Sequence, residues 1–225
     1  AGIDKNTTPA SAGPMKARKV SLSGTLKRKA CWNPVLFTMP DGEIWLFYKV
    51  GATIDDWTGW LVKSRDGGKT WTEREPLPKG FIGPVKNKPE LINGRLTCGS
   101  STEKDGWRFH VEILDMKTGK WKYVGIVDAE KKARTDDVFT ARDMTTPIYK
   151  EGKGPEYIYS IQPSILKLKD GRLQVLMRTH NAKLATSFSS DNGDTWSKVT
   201  LTDIPNNQSG TDAVTLKDGD RKSVV

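Results

Sequence analysis

The octapeptide SSDNGDTW, residues 189–196, recurs almost unchanged at residues 64–71 as SRDGGKTW. Both copies follow the pattern S-x-D-x-G-x-T-W. The aspartate can accept backbone N–H bonds within a turn, and the glycine can adopt a conformation that other residues resist. A third, degenerate copy keeps only Asp115, Gly119 and Trp121. A pattern repeated along one chain predicts a repeated structural unit.

Tight turns recur in step with these octapeptides. Asp-Gly or Asn-Gly pairs end at Gly42, Gly94, Gly171 and Gly219, each between short apolar runs, and such pairs favour hairpins between antiparallel strands. The spacing is about 50 residues except in the middle interval, where residues 131–157 are polar and poorly periodic and are interpreted as an insertion. Four strands per period are typical of a β-propeller blade. An irregular all-β sandwich would not explain matched turns.

The sequence therefore predicts an all-β fold, a β-propeller of four-stranded blades, with about three to four blades in this chain. Residues 1–30 form a polar N-terminal segment, and residues 31–225 form the propeller domain. Because the last turn is followed by little chain, we expect an incomplete segment of a larger ring. An open arc leaves strand edges unburied, so the segment alone should be marginally stable.

The amino-acid composition limits which kinds of partner and which cellular compartment are expected. The chain is 36% hydrophobic and 28% charged, and its mean hydropathy is −0.57. It has no apolar run of about 18 residues and no visible signal peptide, so no membrane span is expected and the compartment stays open. Its net charge of +9 is dispersed, which favours a solvated basic surface over a nucleic-acid partner. Cys31 and Cys98 are interpreted as buried thiols, and neither a metal nor a cofactor is expected.

The octapeptides resemble the Asp-box, or BNR repeat, of sialidases. The resemblance extends through CWNPVLF (31–37), GPVKNKPE (83–90) and IQPSILKLKDGRLQVLMRT (161–179), and it covers most of residues 31–219. It implies a sialidase-like, six-bladed propeller that hydrolyses terminal sialic or related acidic sugars. In such proteins the boxes lie at the blade periphery. The box residues are therefore expected to be structural: Ser64, Asp66, Gly68, Trp71, Ser189, Asp191, Gly193 and Trp196.

The resemblance also implies a site: three arginines for the substrate carboxylate, a tyrosine nucleophile, a glutamate that helps deprotonate it, and an acid/base aspartate. Residues 161–196 place Arg178 on one of the arginine positions, and Gln162 on the position of the glutamate. Glutamine cannot accept the proton, which puts the family's mechanism in doubt here. The other catalytic groups have no counterpart identified in this chain.

Register predicts which other residues share the site. Lys49, Ser101 and Arg178 lie eight residues after the first residue of their turns, so these three should line one mouth of the central channel. Asn33, Gln162 and Gly210 lie eight residues before it, near the start of the inner strands. The expected substrate contacts are Arg178, Lys49, Lys86, Asn87, Lys88, Asn33, Ser101 and Asp212. For Asn33, Ser101 and Asp212, a structural hydrogen bond is an equal alternative.

Two further side chains are candidate proton-transfer groups. Glu103 would be an acid/base or an ion-pair partner, and His180 would be a base. His110 is interpreted as a half-buried strand residue.

Three functional hypotheses follow. The first is a metal-independent, sialidase-like exo-glycosidase that acts on an acidic sugar or glycoconjugate. The second is a non-catalytic BNR propeller that binds a glycan or a protein, which Gln162 favours. The third is a propeller enzyme with other chemistry on an acidic saccharide, using His180 or Glu103. The oligomeric state stays open.

Overall fold

The computed structural model describes residues 29–103, 107–125 and 158–224. The expected insertion at 131–157 lies outside these residues, as does nearly all of the N-terminal segment 1–30. Within the described residues, the chain forms three four-stranded antiparallel sheets and one two-stranded sheet. Each sheet contains strands in chain order, which is the meander expected of a blade.

The strands of the first blade are β1 (Cys31–Thr38), β2 (Ile44–Val50), β3 (Thr58–Ser64) and β4 (Glu75–Pro76). Those of the second blade are β5 (Glu90–Ile92), β6 (Arg95–Thr102), β7 (Arg108–Asp115) and β8 (Trp121–Val124). Those of the third blade are β9 (Ser160–Lys167), β10 (Leu173–Thr179), β11 (Lys183–Ser189) and β12 (Thr200–Pro205). The final hairpin pairs β13 (Asp212–Thr215) with β14 (Arg221–Val224).

The hairpin turns form where the glycine pairs predict them. Gly42, Gly94, Gly171 and Gly219 all have positive φ, between 75° and 88°. Each turn joins the first two strands of its sheet. A 3-10 helix, Ile54–Asp56, lies in the connection from β2 to β3.

The blades stack face to face, and apolar side chains fill the spaces between them. Between the first and second blades, Phe47 and Leu61 pack with Leu96 and Leu114. Between the second and third blades, a larger cluster includes Phe109, Val111, Val175, Met177 and Trp196. This stacking of four-stranded sheets confirms the predicted all-β propeller architecture, of which the chain covers part.

The inner strands share an irregularity that matters for the site. Asn33 and Gln162 occupy corresponding positions near the start of β1 and β9, and Lys86 precedes β5; all three have positive φ: 43°, 56° and 67°, respectively. The β1–β2 and β9–β10 pairings shift register at this level. Such φ values are uncommon for residues other than glycine, and backbone strain of this kind concentrates at functional sites.

The two octapeptides form nearly identical turns. Asp66 accepts hydrogen bonds from Ser64 Oγ at 2.8 Å, Thr70 N at 2.9 Å and Thr70 Oγ1 at 2.6 Å. The bonds from Thr70 and Ser64 lower the pKa of Asp66 to about 2. Asp191 accepts the equivalent bonds from Ser189 and Thr195. Both carboxylates are thus engaged within their own turns.

The second octapeptide also joins two blades. Asp194 pairs with Arg95 of β6 through two bonds of 2.6 and 3.0 Å, and with Lys122 of β8 at 2.7 Å. Asn93 Nδ2 donates to Asn192 Oδ1 at 3.0 Å. The turn between β11 and β12 therefore fastens the third blade to the β5–β6 turn and to β8 of the second blade.

Candidate functional site

Arg178 lies near the end of β10, where its guanidinium stacks 4.4 Å from the centroid of the Trp107 ring. The side chain is half-buried, and its Nε is buried without a hydrogen-bond partner among the described residues. Burial lowers the pKa of Arg178, and the nearby carboxylate of Glu103 opposes this effect. Arginine nevertheless stays charged at any physiological pH. A guanidinium held in place by an aromatic ring with an unsatisfied N–H is suited to bind an anion.

Gln162 stands beside Arg178, because the preceding residue, Ile161, pairs with Arg178 in the sheet. Its backbone is fixed from both sides: the N–H donates to Ser101 Oγ at 3.4 Å, and the carbonyl accepts from Asn87 Nδ2 at 2.8 Å. Its side-chain Oε1 is buried and has no hydrogen-bond partner in the described part of the chain. Ser101 and Asn87 thus support the backbone of Gln162.

Lys86 reaches across the channel toward the final hairpin. Its Nζ donates to the Thr211 carbonyl at 2.7 Å and to Asn87 Oδ1 at 3.1 Å. Burial lowers the pKa of Lys86; Asp212 opposes this shift, and Arg178 adds to it. The lysine chain passes directly over Gly210, where an added Cβ would lie 2.7 Å from Lys86 Cε. Lys86 and Arg178 therefore bring two positive charges to the same region.

The remaining predicted contacts lie at the margin. Asp212 is exposed, and its Oδ1 accepts from Ser164 Oγ at 3.3 Å and from Ala213 N at 2.8 Å. Lys88 is exposed, and Asn33 is half-buried at the start of the first inner strand. The structure brings Arg178, Gln162, Lys86, Asn87 and Ser101 together more closely than these three.

Lys49 departs from the expectation that it faces the channel. Its side chain is fully buried, and its Nζ donates to the Pro84 carbonyl. The reason is that the second blade packs against this face of β2. The position that leaves Arg178 half-buried on β10 is therefore fully buried on β2, where Lys49 occupies it. His110 also differs from the half-buried residue expected: it is 2% exposed.

His180 is buried behind Arg178. Its ring lies 3.6 Å from that of Trp107, centroid to centroid, and its Nδ1 is 3.1 Å from Gln208 Oε1. Burial lowers the pKa of His180, and the positive charge of Arg178 lowers it further. The hydrogen bond with Gln208 acts in the opposite direction and raises this pKa. The imidazole is therefore neutral at pH 7 and able to accept a proton or a hydrogen bond.

Glu103 follows β6 and faces Arg178 from the second blade. Burial raises the pKa of Glu103, and the charge of Arg178 and a hydrogen bond from Trp107 counteract this. The residue lines a cavity of about 160 Å³ whose walls also include Ile54, Asp55, Trp57, Ile82, Ser101 and Thr102. The Trp57 indole Nε1 is buried with no hydrogen-bond partner among the described residues.

Sequence reasoning missed Asp55 and Trp57. Both lie in the connection that follows β2, just as Glu103 follows β6 and His180 follows β10. Corresponding strand ends meet at one face of a propeller, so extending the register into these connections would have found them. Within the described ranges, no cluster of three His, Cys, Asp or Glu side chains could hold a metal ion. None of the described segments is a helix long and apolar enough to span a bilayer.

A BNR repeat-like domain matches residues 15–225. Comparison with curated proteins gives no match. A Dyadobacter fermentans protein of unknown function superposes with a TM-score of 0.57 at 17% identity, over 84% of this chain and 54% of that one. The α-L-arabinanase of Penicillium chrysogenum, solved with arabinobiose, gives 0.52 at 17% identity, over 86% and 58%. A Hadza microbial sialidase gives 0.50 at 12%, over 84% and 37%.

These likenesses establish the fold, because identities this low do not transfer activity. The chain spans about half the length of the first of these solved structures.

Proposed function

The chain belongs to the BNR repeat-like domain family, and on this premise we propose that it is part of a sialidase-like exo-glycosidase that acts on a terminal acidic sugar. Solved structures with this fold include enzymes named for the cleavage of two different kinds of sugar, arabinan and sialic acid. The family thus supports a sugar substrate, and the choice of an acidic sugar rests on the residues of the site.

Arg178 is the observation that carries the proposal. A half-buried arginine whose Nε has no hydrogen-bond partner among the described residues is costly unless a ligand anion completes its hydrogen bonds. Its planar fork matches a carboxylate, and Trp107 holds it in place. Lys86 adds a second positive charge near Arg178. A sugar carboxylate between these groups would satisfy both.

The neighbouring cavity suits the rest of a sugar ring. Asp55 and Glu103 can accept hydrogen bonds from hydroxyl groups, and Ile54, Trp57 and Ile82 supply apolar walls. Because burial raises the pKa of Glu103, this carboxyl can hold a proton closer to neutral pH than an exposed glutamate. Glu103 is therefore our candidate for the general acid that protonates the leaving oxygen.

A second candidate function, non-catalytic binding of an acidic glycan, is favoured by Gln162. Glutamine is a neutral amide and cannot deprotonate a tyrosine. Its buried Oε1 can still accept a hydrogen bond from a sugar hydroxyl. Both functions use Arg178 in the same way, so they differ only in turnover.

Calorimetric titration of the purified protein with sialic acid, deaminated sialic acid and Kdo tests the shared step. For the sugar that binds, Arg178→Ala should weaken affinity by about 10- to 150-fold, the loss of hydrogen bonds to a charged group. Arg172→Ala is the matched control, because Arg172 is exposed and pairs with Asp170 in the turn of the same hairpin. Equal affinity in Arg178→Ala and Arg172→Ala would remove the carboxylate assignment.

Hydrolysis of fluorogenic glycosides of the same three sugars separates the two candidates. Turnover that Glu103→Gln abolishes supports the glycosidase, whereas tight binding without turnover supports the binding module. In the glycosidase, Glu103→Gln should lower kcat more than it raises KM, because the general acid acts in the transition state.

A further inference from the structure

The linker between the first two blades carries Lys86 and Asn87 into the site, and it is held by buried groups along its length. The N–H groups of Ile82 and Gly83 donate to the Glu112 carboxylate, the shortest bond being 2.7 Å. The Pro84 carbonyl accepts from Lys49 Nζ. The next residue, Val85, donates its N–H to the Gly99 carbonyl at 2.9 Å.

The two charged groups that anchor this linker come from different blades. Lys49 belongs to β2 of the first blade and Glu112 to β7 of the second, and both side chains are fully buried. Burying a charge is unfavourable unless hydrogen bonds and an opposite charge compensate. Apolar side chains of similar length would fill the same space at a lower cost in folding free energy. We therefore attribute the presence of these two charges to their hydrogen bonds with the linker.

The surroundings of the pair contain few other titratable groups. Glu112 and Cys98 face Lys49, while His110 Nε2 lies 3.0 Å from Glu112 Oε1 and Tyr123 stacks on the His110 ring. Burial lowers the pKa of Lys49 to about 8, and the charge of Glu112 opposes that shift. Lys49 therefore has a titration that can be observed near neutral pH.

We propose that Lys49 and Glu112 are positioning residues that hold linker 82–87 so that Lys86 and Asn87 reach the central site. Beyond the linker, Asn87 Nδ2 supports the Gln162 carbonyl and Lys86 Nζ contacts the Thr211 carbonyl. A displaced linker would disturb both contacts at once. The positioning role is inferred from the buried contacts alone. The effect of linker position on ligand affinity rests on the proposed function.

The first test needs no ligand. In isotope-labelled protein, the amide resonances of Ile82 and Gly83 should show an inflection near pH 8, because the carboxylate they contact senses the charge of Lys49. Lys49→Met should abolish the inflection. Glu112→Gln should move its midpoint to lower pH, since the carboxylate raises the pKa of Lys49. Amides that do not respond between pH 6.5 and 9.5, or an inflection that survives in Lys49→Met, would overturn the proposal.

The second test measures the effect on the site. N-acetylneuraminic acid and its methyl ester serve as probes in titrations of wild type, Lys49→Met and Glu112→Gln. Affinity for the acid should fall about tenfold in each variant while affinity for the ester stays within twofold, because a displaced Lys86 no longer attracts the carboxylate.

Lys63→Met is the control, since Lys63 pairs with Glu75 at the outer edge of the first blade. An unchanged acid-to-ester ratio in both variants would refute the coupling to the site. If the wild type binds neither probe, the proposed ligand class fails and the amide titration alone decides the positioning role. If Lys49→Met does not fold, Glu112→Gln supplies both readouts.

Discussion

Replacing Gly99 with alanine tests how closely the second and third blades approach each other behind the site. Gly99 lies in β6, opposite the residue that follows Gln162 in β9. An added Cβ would lie 2.6 Å from the Pro163 carbonyl oxygen and 2.8 Å from Pro163 Cγ. On its other side, the Gly99 carbonyl accepts the Val85 N–H, so the strand cannot simply retreat.

The magnitude follows from these distances. An ordinary contact begins at 3.4 Å, so relief requires a displacement of about 0.6–0.8 Å between two packed backbones. Overpacking of this kind costs about 1–3 kcal/mol. For a domain of this size, each kcal/mol lowers Tm by about 2–4 °C, and we expect Gly99→Ala to unfold about 2–12 °C below the wild type.

Thermal and urea unfolding, followed by tryptophan fluorescence, would measure the change. Gly125→Ala is the matched control, because among the described residues its Cβ would meet only Tyr123 Cε1, at 3.5 Å, an ordinary contact. The control should lie within about 0.5 kcal/mol of the wild type. If Gly99→Ala unfolds together with Gly125→Ala, the blades are further apart than the structure has them.

Three more changes test other parts of the molecule. The pKa of Lys49 is about 8 in the folded protein against its ordinary value of 10.5, so the unfolded chain holds more protons in this window. The free energy of unfolding should therefore rise by about 3 kcal/mol from pH 8 to 10.5, and Lys49→Met should lack this rise in urea titrations. Asp194→Asn removes the ion pairs with Arg95 and Lys122. It should lower the free energy of unfolding by about 1 kcal/mol in low salt and by less in 1 M NaCl, because these groups are partly exposed. A loss of stability that does not change with salt would contradict an ionic origin. Gly210→Ala should displace the flexible Lys86 side chain. The affinity for acidic sugars should then weaken several-fold, while Tm changes by no more than about 2 °C. An unchanged affinity would show that Lys86 does not contribute to binding.

The turns could be read from the sequence because they depend on local chemistry. Asp-Gly and Asn-Gly pairs specify tight hairpins on their own, and the octapeptides supply both the donors and the acceptors of their turns. Counting from them located Arg178 and Gln162 beside each other. The same count failed for Lys49, because alternation along a strand says which face a side chain takes but not whether the next blade covers it. Asp55 and Trp57 lie in the connection after β2, beyond the strand positions to which the count was applied.

The two octapeptides show how a repeated turn can select its neighbour. Serine, aspartate, glycine and threonine are hydrogen-bonded to one another within each copy, whereas the tryptophan of the second copy, Trp196, also packs against Phe109 of the second blade. The variable position before the threonine is different: it is Asp194 in one copy, bound to Arg95 and Lys122, and the exposed Lys69 in the other. The same turn can therefore be duplicated with its internal hydrogen bonds intact, while its variable positions and its tryptophan supply the contacts with the adjoining blade.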